Sequence, residues 1–268
     1  MIDSPYLVKG GQKLRLKDRP TDDTSQFDSK ASAERAIEAN LEKLGALQPI
    51  LYAEGKRSLL IILQGMDTSG KDGTIKHVFS GVNPQGCSVV SFKTPSTEEL
   101  AHDYLWRIHA HTPAKGMIAI FNRSQYESVL VERVHKIVPK DVWSRRYEQI
   151  NNFERMLSDE GTSILKFFLH ISRKEQKERL EARLEDPDKN WKFDEHDLAE
   201  RELWDDYQEA YEDALRECST DYAPWYIVPA DRKWFRNWVV SDVIGREMEQ
   251  MKLRYPDPPK GIEQWKVK

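Results

Sequence analysis

The chain has 268 residues, enough for one large domain or two small ones, and 39% of them are hydrophobic, enough to enclose a core. With 41 Lys and Arg against 45 Asp and Glu the formal net charge is -4, so no overall basicity points to nucleic acid or an anionic membrane surface. Cys87 and Cys218 stand far apart, which excludes a disulfide framework and a Cys-rich zinc site.

The longest aliphatic run, Leu59 to Leu63, is too short to span a bilayer. The first ten residues lack the charged-then-apolar order of a signal peptide, and a cytoplasmic location is expected. Residues 1–30 are polar and broken by Pro5, Gly10, Gly11 and Pro20, which predicts an extended arm with no core of its own. Helical spacing of Ala36, Leu41, Leu44 and Leu51 predicts a helix that Pro49 ends or kinks.

Short apolar runs then recur at Ser58–Leu63, Cys87–Phe92, Met117–Phe121, Ile164–Ile171 and Trp225–Val228. Each has strand length, and most are rich in Ile, Val and Phe. Between them lie helical patterns. Tyr126, Val129, Leu130, Val134 and Ile137 share one face, as do Trp143, Tyr147, Ile150, Phe153 and Leu157. Val240, Val243, Ile244, Met248 and Met251 repeat the pattern near the end. Strand–helix alternation predicts an α/β fold, a mostly parallel five-stranded sheet between helical layers. The expected organisation is an arm (1–30), one domain (31–254) with a lid at about 175–200, and an irregular Pro-rich tail (255–268).

The most informative stretch is Gly65-Met-Asp67-Thr68-Ser69-Gly70-Lys71-Asp72-Gly73, directly after an apolar strand and before a helix expected over Thr74–Phe79. It contains G-x-x-x-x-G-K in the context of a phosphate-binding loop. Glycines let backbone N–H groups converge on phosphate oxygens, the helix N-terminus adds positive potential, and Lys71 adds a mobile cation. The bland alternative is a glycine-rich turn. Asp72 stands where a Ser or Thr usually ligates magnesium. Asp67 places a carboxylate in a loop built for anions, so it needs a cation partner: magnesium bridging to phosphate, or, more simply, a turn cap or a pairing with Lys71.

Asn122 and Arg123 follow the third run, and ligands gather at the carboxyl ends of strands in open α/β sheets. Asn122 offers a neutral oxygen where an Asp commonly holds magnesium. Arg123 can grip phosphate bidentately, or be a surface ion pair. Arg179 and Arg183, four residues apart, share a helix face, and Lys189 and Lys192 follow the break at Pro187. They form either a lid closing over a polyanion or a solvated charged helix. Trp191, Phe193, Trp204 and Tyr207 are expected to pack rather than stack on bases. The seven His make no metal constellation.

Taken together, GMDTSGKDG at 65–73, FNRSQYESVLVERV at 121–134, RLEARLEDPDKNWKF at 179–193 and APWYIVPADRKWFRNWVV at 223–240 resemble the polyphosphate kinase 2 family over nearly the whole chain. The resemblance implies a three-layer α/β/α P-loop kinase fold, similar to thymidylate kinase. It implies Mg2+-dependent phosphoryl transfer between inorganic polyphosphate and adenine nucleotides, and a homo-oligomer. It implies that Asp67 holds magnesium and orients the acceptor phosphate, that Lys71 and Arg123 bind the transferred group, and that Arg183 contacts the phosphate chain. Asn122, where many members have Asp, resembles the subgroup that phosphorylates both AMP and ADP. Two rivals remain: an ATP-dependent nucleoside monophosphate kinase, and a non-catalytic nucleotide or polyphosphate binding module.

Overall fold

The chain was analysed as a computed structural model that describes residues 1–188 and 190–266. In chain order its elements are α1 (Lys30–Glu54), β1 (Ser58–Gln64), α2 (Lys71–Val78), β2 (Cys87–Ser91), α3 (Thr97–Leu100), α4 (Trp106–His109), β3 (Ile118–Asn122), α5 (Val131–Val134), α6 (Lys140–Asp159), β4 (Thr162–His170), α7 (Arg173–Glu185), α8 (His196–Glu202), α9 (Trp204–Cys218), β5 (Trp225–Pro229) and α10 (Lys233–Gln250). The strands form one sheet in the order β2-β3-β1-β4-β5, every pair parallel. Central β1 is buried at all seven positions, which is why it reads as one continuous apolar run. Edge strand β2 is half-buried to exposed throughout.

Two cores flank the sheet. On one face Leu60, Ile62 and Phe168 pack with Ile150 and Phe153 of α6 and Tyr211 and Leu215 of α9. On the other, Leu59, Ile61 and Phe167 pack with Leu44 and Leu51 of α1 and Val240 and Ile244 of α10. This packing decides the fate of Pro49. Pro49 does not end α1, which runs through it to Glu54 and stops at Gly55, left-handed at φ 61°. Burial of Leu44 and Leu51 on α10 outweighs the one backbone hydrogen bond that proline forgoes.

The arm is sewn into both cores. Tyr6 and Val8 bracket an antiparallel bridge at Leu7–Tyr226: the Val8 N–H donates to Trp225 O at 2.9 Å and the Ile227 N–H to Tyr6 O at 2.8 Å. This covers the open edge of β5. Ile2 and Tyr6 join one core, Val8, Leu14 and Leu16 the other.

Two helical expectations change. The face read through Ile137 is a 3-10 turn at Gln125–Ser128 followed by the single turn of α5. Tyr126, Val129, Leu130 and Val134 are buried, but Ile137 is exposed. Trp204 and Tyr207 pack as expected, whereas Trp191 is exposed at the end of the lid segment.

Beneath the turn at 125–128 lies a fully buried ion pair, Lys166 of β4 with Glu154 of α6. The Lys166 ammonium also donates to Tyr126 Oη (2.8 Å) and Cys218 O (2.7 Å), and Glu154 accepts from Gln125 Nε2 (2.9 Å) and Tyr126 Oη (3.0 Å). Burial pushes the Glu154 pKa up, with Lys166 opposing it. Lys166→Met strands the carboxylate, so chemical denaturation should show a loss of about 3–5 kcal/mol. Adding Glu154→Leu should recover much of that loss. Equal stability of single and double variants would refute a net cost of isolating the charge.

Candidate active site

Sheet register builds the site. In the ladder Leu63 of β1 lies opposite Asn122 of β3, and the Arg123 N–H donates to Leu63 O at 3.1 Å. The loop leaving β1 and the turn leaving β3 therefore emerge side by side at the carboxyl end of the sheet. Two non-glycine residues there sit in the left-handed region, Thr68 (φ 61°) and Arg123 (φ 65°). The backbone is held in an uncommon conformation at the points where it turns toward ligand.

The loop spans Gly65–Gly70, and α2 starts at Lys71, earlier than the expected Thr74. Its first turn is polar and lacks an apolar signal. Gly70 is the N-cap at φ 100° and offers no side-chain cap, so the first N–H groups of α2 face outward for an anion. A Cβ on Gly65 would sit 2.7 Å from Ser69 Oγ and 2.9 Å from Leu169 O, so only glycine fits. Among the described residues the hydroxyls of Thr68 and Ser69 are buried and have no hydrogen-bond partner. Lys71 Nζ folds back onto Gly65 O (2.8 Å) and Met66 O (3.4 Å).

The partner of Asp67 is Arg123, not Lys71: Arg123 Nη2 donates to Asp67 Oδ1 at 3.3 Å. Arg123 also lies 3.8 Å from Glu127, which accepts from Gln64 Nε2 at 3.1 Å. Asn122 Nδ2 donates to Asp72 Oδ1 at 2.6 Å, tying the residue after the loop lysine to the end of β3. Burial, then the nearby Arg123 charge, lowers the Lys71 pKa, with Asp67, Glu127 and Asp72 opposing. Burial opposes the Arg123 charge as well, but Glu127 and Asp67 outweigh it and raise its pKa. Burial raises the pKa of Glu127 against Arg123.

The lid residues divide. Arg179 is held by backbone carbonyls of the loop and of the residues just after β5. Its guanidinium donates to Thr68 O (2.9 Å), Ser69 O (3.2 Å), Ala230 O (2.7 Å) and Asp231 O (3.0 Å), and it pairs with Glu175 at 2.8 Å. It thereby ties α7 to the underside of the loop. Arg183 pairs with Asp197 of α8 at 3.1 Å, and the pKa of Asp197 is raised by burial and then by Asp67. Arg183 is thus held close to the loop. Lys189 and the Lys192 side chain lie outside the described residues.

Glu127, Gln64 and Arg236 were missed by sequence reasoning. The i,i+4 spacing of Arg123 and Glu127 was an available signal. Arg236 reaches the loop from α10 with no local signal. A groove of about 1080 Å³, lined by Arg133, Trp143, Tyr147, Asp206 and Glu209, contains none of these residues.

Among the described residues no group of three or more His, Cys, Asp or Glu is arranged to hold a metal ion. The site offers carboxylates singly, beside a loop with orphaned hydroxyls. This suits magnesium, which takes one or two carboxylates and completes its shell with water and phosphate oxygens.

A parallel sheet with a G-x-x-x-x-G-K loop on its central strand and an arginine on the neighbouring strand end defines an α/β P-loop kinase fold. The chain belongs to the polyphosphate kinase 2 (PPK2) family, whose sequence pattern matches residues 26–256. It is 53% identical over 259 residues to an AMP/ADP-polyphosphate phosphotransferase of Meiothermus ruber, covering 96% of this chain and 97% of that one. It is 46% identical over 264 residues to an ADP-polyphosphate phosphotransferase of Rhodopseudomonas palustris, covering 94% and 91%. The crystal structure of polyphosphate kinase 2 from Arthrobacter aurescens TC1 superposes with a TM-score of 0.92 at 40% identity, covering 98% of this chain and 97% of that one. Among the described residues no helix is long and apolar enough to cross a membrane.

Proposed function

We propose that this protein transfers the terminal phosphate of inorganic polyphosphate to AMP and to ADP, forming ADP and ATP, reversibly and with Mg2+. The observation that carries this reading is the near full-length similarity to the Meiothermus ruber relative, whose name gives both acceptors. The site geometry supports it. Two phosphorylated substrates must meet end to end, and phosphoryl transfer needs positioning and charge stabilisation more than covalent chemistry. The loop N–H groups and Lys71 hold one phosphate, and Arg123, fixed between Asp67 and Glu127, faces the other. Arg183, carried by the lid, meets the donor chain, while α7 and α8 exclude water. Asp67 and the amide oxygen of Asn122 would hold magnesium, which when bound neutralises phosphate charge. Homo-oligomeric assembly and a cytoplasmic location belong to the same proposal.

The test is nucleotide product analysis with purified protein, magnesium and long-chain polyphosphate, supplied with AMP or with ADP. ADP and ATP from AMP are expected, with no product once magnesium is chelated. ATP from ADP alone would favour the narrower acceptor range in the name of the Rhodopseudomonas palustris relative. Turnover only with ATP as donor would assign a monophosphate kinase, and binding without turnover a non-catalytic module.

A further inference from the structure

The charged groups on the open side of the loop do not favour an anion by themselves. At the loop and the end of β3 three carboxylates, Asp67, Asp72 and Glu127, stand with two cations, Lys71 and Arg123, while Arg183 of the lid is paired with Asp197. A site that collects phosphates needs positive charge from elsewhere. Directly beneath the loop lies Arg236 of α10, almost wholly buried. Its guanidinium donates to Ser69 O at 3.1 Å and to the Oδ1 of adjacent Asn237 at 3.0 Å, and no carboxylate among the described residues comes within ion-pair reach. A Cβ on Gly70 would land on the guanidinium, and one on Gly73 would lie 3.5 Å from Nη2, so the loop backbone rests against this side chain.

Packing and hydrogen bonding do not account for an arginine here. Ser69 O already accepts from Arg179, and a buried cation without an acid is unfavourable in an empty protein. Burial and the neighbouring Arg179 charge lower the Arg236 pKa to about 9. Arg179 is neutralised by Glu175, whereas Arg236 is not. We propose that Arg236 is a positioning residue whose uncompensated charge forms the floor of the phosphate loop and draws substrate phosphate onto the backbone above it. The inference rests on the reading of Gly65–Gly73 as a phosphate loop, and it gives a role to Arg236 of the 223–240 motif.

The experiment compares full-length Arg236→Met, Arg236→Lys and Arg236→Gln with wild type, reading the ligand-free unfolding midpoint and calorimetric affinity for Mg·ADP and for magnesium tripolyphosphate. Arg236→Met should unfold no lower than wild type yet bind both probes about tenfold more weakly. Arg236→Lys should keep affinity within about threefold, and Arg236→Gln, which retains a donor for Ser69, should lose it as Met does. A lowered midpoint with unchanged affinity would reduce Arg236 to a structural prop. Equal loss in the Lys and Gln variants would assign the effect to hydrogen-bond geometry and overturn the charge argument. Lys71→Ala separates the two readings: loss there with intact binding in Arg236→Gln would overturn the floor alone. A folded wild type that binds neither probe would overturn the phosphate loop as well.

Discussion

Lys71→Ala is expected to leave a folded protein whose turnover falls by about a thousandfold or more, since an active-site cation positioned on transferring phosphate is worth several kcal/mol of barrier. Among the described residues the Lys71 ammonium hydrogen-bonds only the Gly65 and Met66 carbonyls of its own loop, so its removal breaks no link to the core. The unfolding midpoint should stay near wild type while product formation disappears. Near-wild-type turnover would remove the site described above. Its lowered pKa adds a second readout, because a lysine depressed by burial and by Arg123 loses its proton as pH rises through that lowered value. In the free enzyme kcat/KM should therefore fall on an alkaline limb below the ordinary lysine pKa of about 10.4. Bound phosphate favours the ammonium form, so the limb in kcat should lie at higher pH. A kcat/KM limb at or above the ordinary value would contradict the depressed lysine.

How these residues came together was only partly legible in the chain. Strands of a parallel sheet covered on both faces are continuous apolar runs, so Leu59–Leu63 and Ile164–Ile171 announced β1 and β4 within a residue or two. The loop was legible because its chemistry is local: glycines, lysine and helix start lie within nine residues. The Asp67–Arg123 pair was not. Its ends are 56 positions apart, and only the ladder placing Leu63 opposite Asn122 makes them neighbours. Arg179 shows a different limit. Helical spacing groups it with Arg183, but cannot tell that its guanidinium bonds the loop carbonyls of Thr68 and Ser69. Composition could not say where the arm packs. Its few apolar residues are too sparse to make a core, yet they fill positions in two cores built by others.

Asp67→Asn is expected to be the most informative single change, because it keeps the shape of the side chain and deletes its charge. Asp67 and Arg123 are 25% and 42% exposed, and an ion pair open to solvent contributes about 0–1 kcal/mol, so stability should hardly move. Turnover should nevertheless fall about a hundredfold or more, for two separable reasons. With Asn at 67 the guanidinium of Arg123 keeps an uncharged oxygen to donate to and loses the charged half of that pair, leaving Glu127, 3.8 Å away, as its carboxylate partner among the described residues and weakening its aim. The loop also loses the carboxylate that, on the proposed reading, would hold magnesium, so half-maximal activity should require more magnesium. Raising magnesium then separates the two contributions. Recovery of most of the rate at high magnesium would show that Asp67 acts mainly on the metal. A rate that stays low at saturating metal would show that orientation of Arg123 is the larger part. Unchanged turnover and unchanged magnesium dependence would contradict both, leaving Asp67 a surface ion pair and returning the question of what balances phosphate charge to Lys71, Arg183 and the buried arginine beneath the loop.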